Sequence, residues 1–391
     1  MKILHLVKSF SPTSQTFVYD LLVALRTRGG IEQSIVAARE ENRRMRPFSP
    51  VTVIPAFDLV AGLVGRGRLH RRGVSLVMPI YRLVFQRTVA RFAPDVIHCH
   101  FGWAAVALHR LGGNWARSYR VVVGFHGTDI TSSPVTDYAY ASDLLKVAKY
   151  PFVRTTVVSS YLRQAALKIG IPESQLRLHP NGLNPNFLGV RSRPLFRPGD
   201  VFRVISIGRF VPWKGQRILI DAFAAFVRDV PNATLTLIGE GETLGQLRDY
   251  VRHIGLDNRI SFPGEVAHSA IPLLLSDSDA YVQPSLFDND TGQVETFGVA
   301  ALEAIACGVP VVVTDTGGLV ETVSAQGHEG SSYFVVRPAD SSAIQEKLLL
   351  LARSERNVAR IDCYSRERRE YFSQQRQIES YIGLYKELVA G

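Results

Sequence analysis

Cysteine is scarce in this chain, since its 391 residues include only Cys99, Cys307 and Cys363. Their number is odd, and their spacing is unlike that of metal ligands. The sequence therefore offers neither a disulfide framework nor a cysteine-rich zinc site. We expect these thiols to be buried and reduced, as in a cytoplasmic protein.

Long apolar runs are also missing. The most apolar internal stretch, Val74–Phe85, contains Pro79 and Arg82 and cannot span a bilayer. The first residues, MKILHLV, have an apolar run too short for a signal peptide, and no small-residue cleavage site follows them. We interpret them as a first buried strand.

Positive charge is abundant and unevenly distributed. Of the formal net charge of +10, residues 1–190 carry 24 Lys and Arg against 10 Asp and Glu, whereas residues 191–391 carry 21 against 25. A basic first half is typical of contact with nucleic acid, an anionic membrane or an acidic substrate, although a surplus of solvated arginines is an open alternative. The clusters at 43–46 and 66–72 have almost no aromatic residues between their arginines, so nucleic-acid binding is the least favoured of these.

Strand and helix patterns alternate along the chain, which predicts parallel sheets covered by helices on both faces. A first series runs from the strand Ile3–Val7 and includes a helix at Ile80–Phe92. The segment Asn181–Asp200 is rich in Pro, Gly and Asn, and it predicts a linker before a second series begins at Phe202–Ile207. We therefore predict an α/β protein with two Rossmann-like domains, at residues 1–185 and 186–375, and a last helix at 376–391.

Residues 285–318 contain the most informative pattern. Helix formers at Val299–Ala306 follow Gly298, and a helix start of this kind attracts phosphate through its free amides and its dipole. Glu295 precedes the helix, and Glu303 lies in its second turn. Two carboxylates around an anion-attracting helix start suit a nucleotide sugar, although Glu295 as a helix cap and Glu303 on a solvated face are the structural alternative.

A second phosphate-binding pattern lies at the end of the strand Phe202–Ile207. Gly208 permits a tight turn, and Arg209 and Lys214 then bracket the loop before a helix that begins near Gly215. Two cations beside a helix start make a pyrophosphate site by charge and by amide donors together.

Six motifs in this order, SQTFV, HGTD, GR-x4-KG, GEG, E-x7-E and GGLVE, resemble those of GT-B glycosyltransferases of family GT4 (glycosyl transferases group 1). The resemblance covers nearly the whole chain. Many members have a Gly-Gly pair in the first strand–helix loop, where this chain has Ser14, Gln15 and Thr16. This loop looks like the S-E-T-F-V variant of exopolysaccharide glycosyltransferases, with Gln in place of Glu.

The resemblance implies a GT-B fold, in which two Rossmann-like domains face each other across a deep cleft. It implies that domain 1–185 binds the acceptor, that domain 186–375 binds the donor, and that helix 376–391 crosses back to the first domain. The implied reaction is a retaining hexosyl transfer from a UDP- or GDP-sugar to an acceptor hydroxyl. The implied setting is the biosynthesis of exopolysaccharide or another glycoconjugate, with a glycan or lipid-linked acceptor.

The resemblance also implies roles for individual residues. Glu295, His126, Arg209 and Lys214 would be the catalytic residues, and the last two would hold the diphosphate. The donor-binding residues would be Gly208, Arg209, Lys214, Gly239, Gly241, Gly264, Val266, Glu295, Thr296, Phe297, Gly298 and Glu303. Ser14, Gln15, Thr16 and Asp129 would lie on the acceptor side.

We expect no cofactor other than the nucleotide-sugar co-substrate, and no metal. Two D-x-D pairs, Asp277 with Asp279 and Asp288 with Asp290, are interpreted as loop or cap carboxylates, because the cations above already supply the positive charge. His98 and His100 form an H-x-H pair on a strand without a third ligand nearby, so we interpret them as structural or sugar-facing.

Two further expectations concern partners and alternatives. Arg82, Arg87 and Arg91 on the helix Ile80–Phe92 suggest peripheral contact with anionic lipid at the inner face of the membrane. A nucleotide-sugar epimerase or a phosphorylase could share the same donor site. An epimerase would need no acceptor, and a phosphorylase would need free phosphate.

Overall fold

The computed structural model describes six ranges of the chain: residues 1–12, 15–54, 68–112, 119–189, 200–353 and 358–391. For residues 68–78 and 81 it describes the backbone alone. The chain divides into two units, the first formed by Met1–Gly182 with Gln374–Gly391 and the second by Leu183–Ser373. Ser14 lies outside the described residues, as does much of the predicted linker.

The elements follow one another as strand and helix in both units. The described strands are β1 (Lys2–Phe10), β2 (Glu32–Glu40), β3 (Val51–Val53), β4 (Val96–His100), β5 (Arg120–Phe125), β6 (Val153–Val157), β7 (Leu176–Leu178), β8 (Phe202–Ile207), β9 (Ala233–Ile238), β10 (Ile260–Gly264), β11 (Ala280–Gln283), β12 (Val311–Thr314) and β13 (Tyr333–Val336). The described helices are α1 (Thr16–Thr27), α2 (Arg68–Phe92), α3 (Gly102–Gly112), α4 (Ser133–Thr136), α5 (Tyr138–Ala148), α6 (Ser160–Lys168), α7 (Gln216–Asp229), α8 (Leu244–His253), α9 (Ile271–Ser276), α10 (Val299–Ala306), α11 (Leu319–Val323), α12 (Ser341–Arg353), α13 (Val358–Tyr371) and α14 (Gln374–Ala390).

Each unit is built on one parallel sheet. The first sheet has the order β3-β2-β1-β4-β5-β6-β7, and the second has the order β10-β9-β8-β11-β12-β13. In each sheet the strand order reverses beside the first strand of that unit. The reversal lies between β1 and β4 in the first sheet and between β8 and β11 in the second. In sheets of this kind, ligands bind outside the carboxyl ends of the strands at that switch point.

The central strands of both sheets are buried, as expected where helices cover both faces of a parallel sheet. All four residues of β12, for example, are buried, as expected for β-branched runs in a parallel sheet. The core of the second unit joins aromatic residues of β8 and α7, including Phe202, Phe223 and Phe226, to valines of β11 and β12.

The structure differs from the sequence-based elements in a few places. Helix α2 begins at Arg68 and not at Ile80, so Pro79 lies inside the helix. A proline removes one backbone hydrogen bond there but does not prevent the helix from continuing. The short elements β7 and α11 were not predicted, because three to five residues carry too little periodicity.

Helix α14 packs on the first unit although it comes last in the chain. Its buried residues Ile378, Tyr381, Leu384, Tyr385 and Leu388 form one apolar cluster with residues of β1, α1, β4 and β5. The C-terminal segment therefore completes the core of the N-terminal sheet.

Substitution of Leu384 by alanine should destabilise the first unit. Leu384 is 4% exposed in the cluster that α14 shares with the sheet, and a Leu-to-Ala change at such a position costs about 2–5 kcal/mol. Native-state hydrogen exchange of the β1 and β4 amides would measure the loss. Lys386→Ala, at an exposed position of the same helix, should change protection by less than about 0.5 kcal/mol. Equal effects of the two substitutions would contradict the packing role of α14.

Candidate active site

An ion pair marks the switch point of the second sheet. After β8 the chain passes Gly208 and the exposed Arg209 and makes a short turn, Pro212–Lys214. Glu295 lies in the loop before α10. Lys214 Nζ lies 2.5 Å from its Oε2. The two side chains are only 16% and 13% exposed, so their charges attract each other more strongly than a surface pair would.

Glu295 is held by a second donor that the sequence analysis missed. Gln283, at the carboxyl end of β11, donates its amide to the same Glu295 Oε2 at 2.6 Å. The side-chain carbonyl oxygen of Gln283 accepts a hydrogen bond from the Tyr281 hydroxyl at 3.0 Å. Burial, reinforced by the charges of Glu295 and Glu303, raises the pKa of Tyr281 well above its ordinary value, so this phenol stays a donor. The feature of the sequence that could have identified Gln283 is a polar residue at the end of an apolar strand.

The helices beside this pair both begin at a glycine in the left-handed region. Gly215 precedes α7 with φ 68°, and Gly298 precedes α10 with φ 90°. Neither helix has a side-chain cap, and neither has an acidic residue in its first turn. A side chain at Gly215 would collide with the carbonyl oxygen of Pro284, and one at Gly298 with Leu319. The first amides of both helices therefore remain without an acidic partner from their own helix, as an anion site requires.

Glu303 has a partner that the sequence did not indicate. Its side chain is 8% exposed, and its Oε1 lies 2.9 Å from His268 Nε2. His268 follows β10 in a short turn, and its ring lies 5.2 Å from that of the buried Phe187. The predicted alternative, a solvated face, does not hold for Glu303, because this carboxylate is buried and paired.

The loops after β9 and β10 lie beside the loop after β8. The Phe210 amide donates to the Glu240 carbonyl oxygen at 2.8 Å, and the Gly239 amide donates to that of Gly264 at 2.9 Å. The structure thus brings Gly239, Gly241 and Gly264 to the edge that carries Gly208, with the partly buried Val266 just beyond.

The residues just before α10 differ in their exposure. Thr296 is partly buried, whereas Phe297 is 4% exposed and packs edge-on against Phe372 at 5.3 Å between ring centroids. The Phe297 carbonyl oxygen accepts the Thr322 hydroxyl. The Phe297 side chain therefore anchors this loop in the core, and a ligand contact at this residue would involve its backbone amide.

In the first unit, His126 follows β5. Its ring is partly buried and lies 4.8 Å from the rings of Phe17 and Phe101. Burial lowers the pKa of His126 to about 3, so the imidazole is neutral at physiological pH. A neutral imidazole can donate one hydrogen bond and accept another, but both ring nitrogens of His126 are buried, so its predicted place beside the transferred sugar stays a prediction.

Asp129 is fully buried and organises the loop around His126. Its carboxylate accepts the amides of Gly102 at 2.8 Å, His126 at 3.2 Å and Gly127 at 2.8 Å. Burial raises the pKa of Asp129 to about 6, against the opposing effect of these hydrogen bonds. Asp129 thus ties the start of α3 to the turn after β5, and its predicted place on the acceptor side stays a prediction.

The remaining first-unit residues lie at the switch point of their own sheet. Thr16 begins α1, and Gln15 precedes it without a side-chain cap bond. His98 and His100 are buried in β4. Their predicted alternative role as sugar-facing residues is wrong, because both side chains are at most 1% exposed.

One carboxylate of each D-x-D pair accepts hydrogen bonds from backbone amides. Asp279 accepts the Arg203 amide at 2.8 Å. Asp288 accepts the amides of Asp290 and Thr291, and the hydrogen bonds from Thr291 lower its pKa. Hydrogen bonds of this kind, from backbone amides to a carboxylate, are those expected of carboxylates in loops.

Comparison with known proteins identifies the family of this chain. Residues 14–187 match the family described as Glycosyltransferase Family 4, and residues 191–368 match Glycosyl transferases group 1. A GDP-mannose-dependent alpha-(1-6)-phosphatidylinositol monomannoside mannosyltransferase of Mycobacterium tuberculosis is 31% identical over 278 residues, which are 68% of this chain and 70% of that protein. The putative colanic acid biosynthesis glycosyltransferase WcaL of Escherichia coli is 25% identical over a region that makes up 78% of this chain and 74% of that protein.

Among solved structures, Anabaena HepE in complex with UDP-glucose superposes with a TM-score of 0.75 at 21% identity, over 99% of this chain and 100% of that one. At this identity the likeness concerns the fold, and it confirms the predicted α/β architecture with two Rossmann-like sheets of GT-B type. The chain belongs to glycosyltransferase family 4, and it is a retaining glycosyltransferase that uses a nucleotide-sugar donor.

Proposed function

We propose that this enzyme transfers a hexose from a UDP- or GDP-sugar to a hydroxyl of a glycan or lipid-linked acceptor, in the synthesis of an exopolysaccharide or another glycoconjugate. The Lys214–Glu295 pair at the switch point of the second sheet carries this proposal. It places a cation and a carboxylate within one hydrogen bond of each other, between two helix starts whose first amides lack an acidic cap.

The donor diphosphate binds at Arg209, Lys214 and the first amides of α10. Lys214 has three N–H donors, so it can keep its bond to Glu295 and still donate to phosphate oxygens. The exposed Arg209 on the same loop adds a second cation with a planar fork that matches phosphate. Together these groups stabilise the charge that grows on the departing nucleoside diphosphate.

The two glutamates hold the sugars on either side of the diphosphate. Glu303, fixed by His268, accepts hydrogen bonds from the ribose hydroxyls. Glu295 faces the transferred hexose, and its Oε2 is oriented by Lys214 and Gln283. Each carboxylate is thereby fixed before the donor arrives, which reduces the entropy lost on binding.

The configuration at the anomeric carbon is retained without a covalent glycosyl-enzyme intermediate. Retaining glycosidases use a free carboxylate nucleophile beside a second carboxyl group, whereas Glu295 shares its Oε2 with an ammonium and an amide. We propose attack from the face that the diphosphate leaves, with the diphosphate accepting the proton of the incoming hydroxyl.

The relatives named above differ in donor, since one depends on GDP-mannose and the HepE structure contains UDP-glucose. A thermal-shift series decides between the bases. We expect UDP or GDP to raise the melting temperature, with a stabilisation of about 2.7 kcal/mol at a ligand concentration of 100 times Kd. UMP and GMP serve as matched controls, because they lack the second phosphate that Arg209 and Lys214 hold. Equal shifts from the mono- and diphosphates of the preferred base would contradict the diphosphate site.

Loss of either member of the ion pair should abolish transfer while the protein stays folded. We expect Lys214→Ala and Glu295→Ala to lower kcat by about 100- to 1,000-fold, as for the loss of other groups that stabilise developing charge. Turnover with the preferred donor measures the effect, and circular dichroism checks the fold. Arg217→Ala is the control, because it removes an exposed cation that pairs with Asp221 on α7. Full activity of either pair variant would refute the assignment.

The outer face of α2 supports a membrane-associated acceptor. Phe85 and Val89 of this helix are buried, whereas Ile80, Leu83 and Val84 are 63, 46 and 39% exposed. Arg82, Arg87 and Arg91 are exposed on the same helix. Apolar and cationic residues on one helix suit the interface of an anionic membrane. Among the described helices none combines the length and apolar character that a membrane span requires.

Binding to phosphatidylglycerol vesicles at low salt tests this surface. We expect the double substitution Arg87→Gln and Arg91→Gln to weaken binding about 30-fold, at about 1 kcal/mol for each arginine near an anionic surface. The control is Arg248→Gln with Arg252→Gln, which removes the same charge from the second unit. If the unmodified protein ignores these vesicles, the membrane proposal fails and a soluble acceptor is favoured.

A further inference from the structure

Three imidazoles meet on one face of the first sheet. His5 of β1 pairs in register with His98 of the adjacent β4, and His100 follows two residues later on the same face. All three side chains are buried, with at most 1% exposed. One ring nitrogen from each lies within 4.8 Å of the others. His5 is the third ligand that the H-x-H pair lacked in the sequence.

The distance between two of these nitrogens matches that of a metal site. His5 Nδ1 lies 3.1 Å from His100 Nε2. Two imidazole nitrogens bound to one tetrahedral Zn²⁺ at 2.0–2.1 Å would be about 3.3 Å apart. Two ring nitrogens that face each other at this distance either share one proton or hold one cation.

One group beside the cluster fixes an outer ring nitrogen. The Tyr385 hydroxyl of α14 lies 2.7 Å from His98 Nδ1. Metal-binding histidines usually carry such a partner on the ring nitrogen that does not bind the metal. His98 Nε2 remains for a ligand, and it has no hydrogen-bond partner among the described residues.

The protonation state also suits a cation. Burial lowers the pKa of His5 to about 3 and those of His98 and His100 well below their ordinary value. The three imidazoles are therefore neutral at physiological pH, which is the form that binds metals. An unpartnered nitrogen such as His98 Nε2 costs about 1–3 kcal/mol in a dry core, and a bound cation would remove that cost.

We propose that His5, His98 and His100 form a transition-metal site in the core of the first unit, with Zn²⁺ as the preferred ion. Three neutral imidazoles are a donor set that Zn²⁺ accepts. The His98 and His100 rings stack at 4.1 Å between centroids, so binding should tilt them toward a common point. The site is structural, and because His98 contacts Tyr385, it links the sheet to α14.

The test uses the full-length chain without a histidine tag, stripped with a chelator. We expect one Zn²⁺ per chain by elemental analysis after dialysis, a higher melting temperature with Zn²⁺, and the visible absorption of tetrahedral Co²⁺ after cobalt loading. Wild-type protein that binds no metal and shows no thermal shift would overturn the proposal.

Variants locate the ion. His100→Gln should abolish stoichiometric binding, whereas His253→Gln, at an exposed position of α8, should leave it unchanged. Binding that survives His100→Gln would place the metal elsewhere and overturn the proposal. Since His100→Gln could impair folding, Tyr385→Phe provides a milder test. It keeps the ring and removes the hydroxyl, and it should weaken Zn²⁺ binding about 10- to 100-fold; unchanged affinity would contradict the site.

Discussion

The attraction between Lys214 and Glu295 is the interaction on which the candidate active site of the second unit depends. These two charges are mostly removed from water, and each would be costly to leave alone. The fold keeps them together because the order of the sheet places the β8 loop next to the end of β11. Glycine starts bring α7 and α10 to the same edge. We propose that a charged ligand binds here to these fixed donors without reorganising the site.

Much of this arrangement could be predicted from the sequence. The apolar runs and their glycine turns locate most strands and helices, and Arg209, Lys214, Glu295 and Glu303 stand at fixed offsets from them. Each offset places a side chain at the carboxyl end of a strand or within the first two turns of a helix. The local sequence pattern is sufficient to select these residues as candidates.

What the sequence could not show are partners that come from elsewhere in the chain. His268 reaches Glu303 from the turn after β10, and Gln283 reaches Glu295 from the end of β11. His5 joins His98 and His100 only because β1 and β4 are neighbours in the sheet. Pro79 misled the prediction for α2, because proline more often begins a helix than lies inside one. Tertiary contact decides all of these cases, and a single sequence does not contain it.

The first unit handles polar groups differently from the second. The three histidines are buried in β1 and β4, and Asp129 is buried in the turn after β5, where each needs a partner to offset its lost hydration. Asp129 finds its partners in backbone amides, and His98 finds one in the hydroxyl of Tyr385. Polar groups in the core thus join the turn after β5 to α3 and join β4 to α14, whereas Lys214 and Glu295 of the second unit pair with each other at the edge of their sheet.

A crystal of the enzyme soaked with its preferred nucleoside-diphosphate sugar would show where the diphosphate binds. We expect phosphate oxygens within hydrogen-bond distance of Arg209, Lys214 Nζ and the first amides of α10, with Glu303 on the ribose and Glu295 on the hexose. A ligand bound away from this edge of the second sheet, or one whose diphosphate contacts neither cation, would contradict this placement.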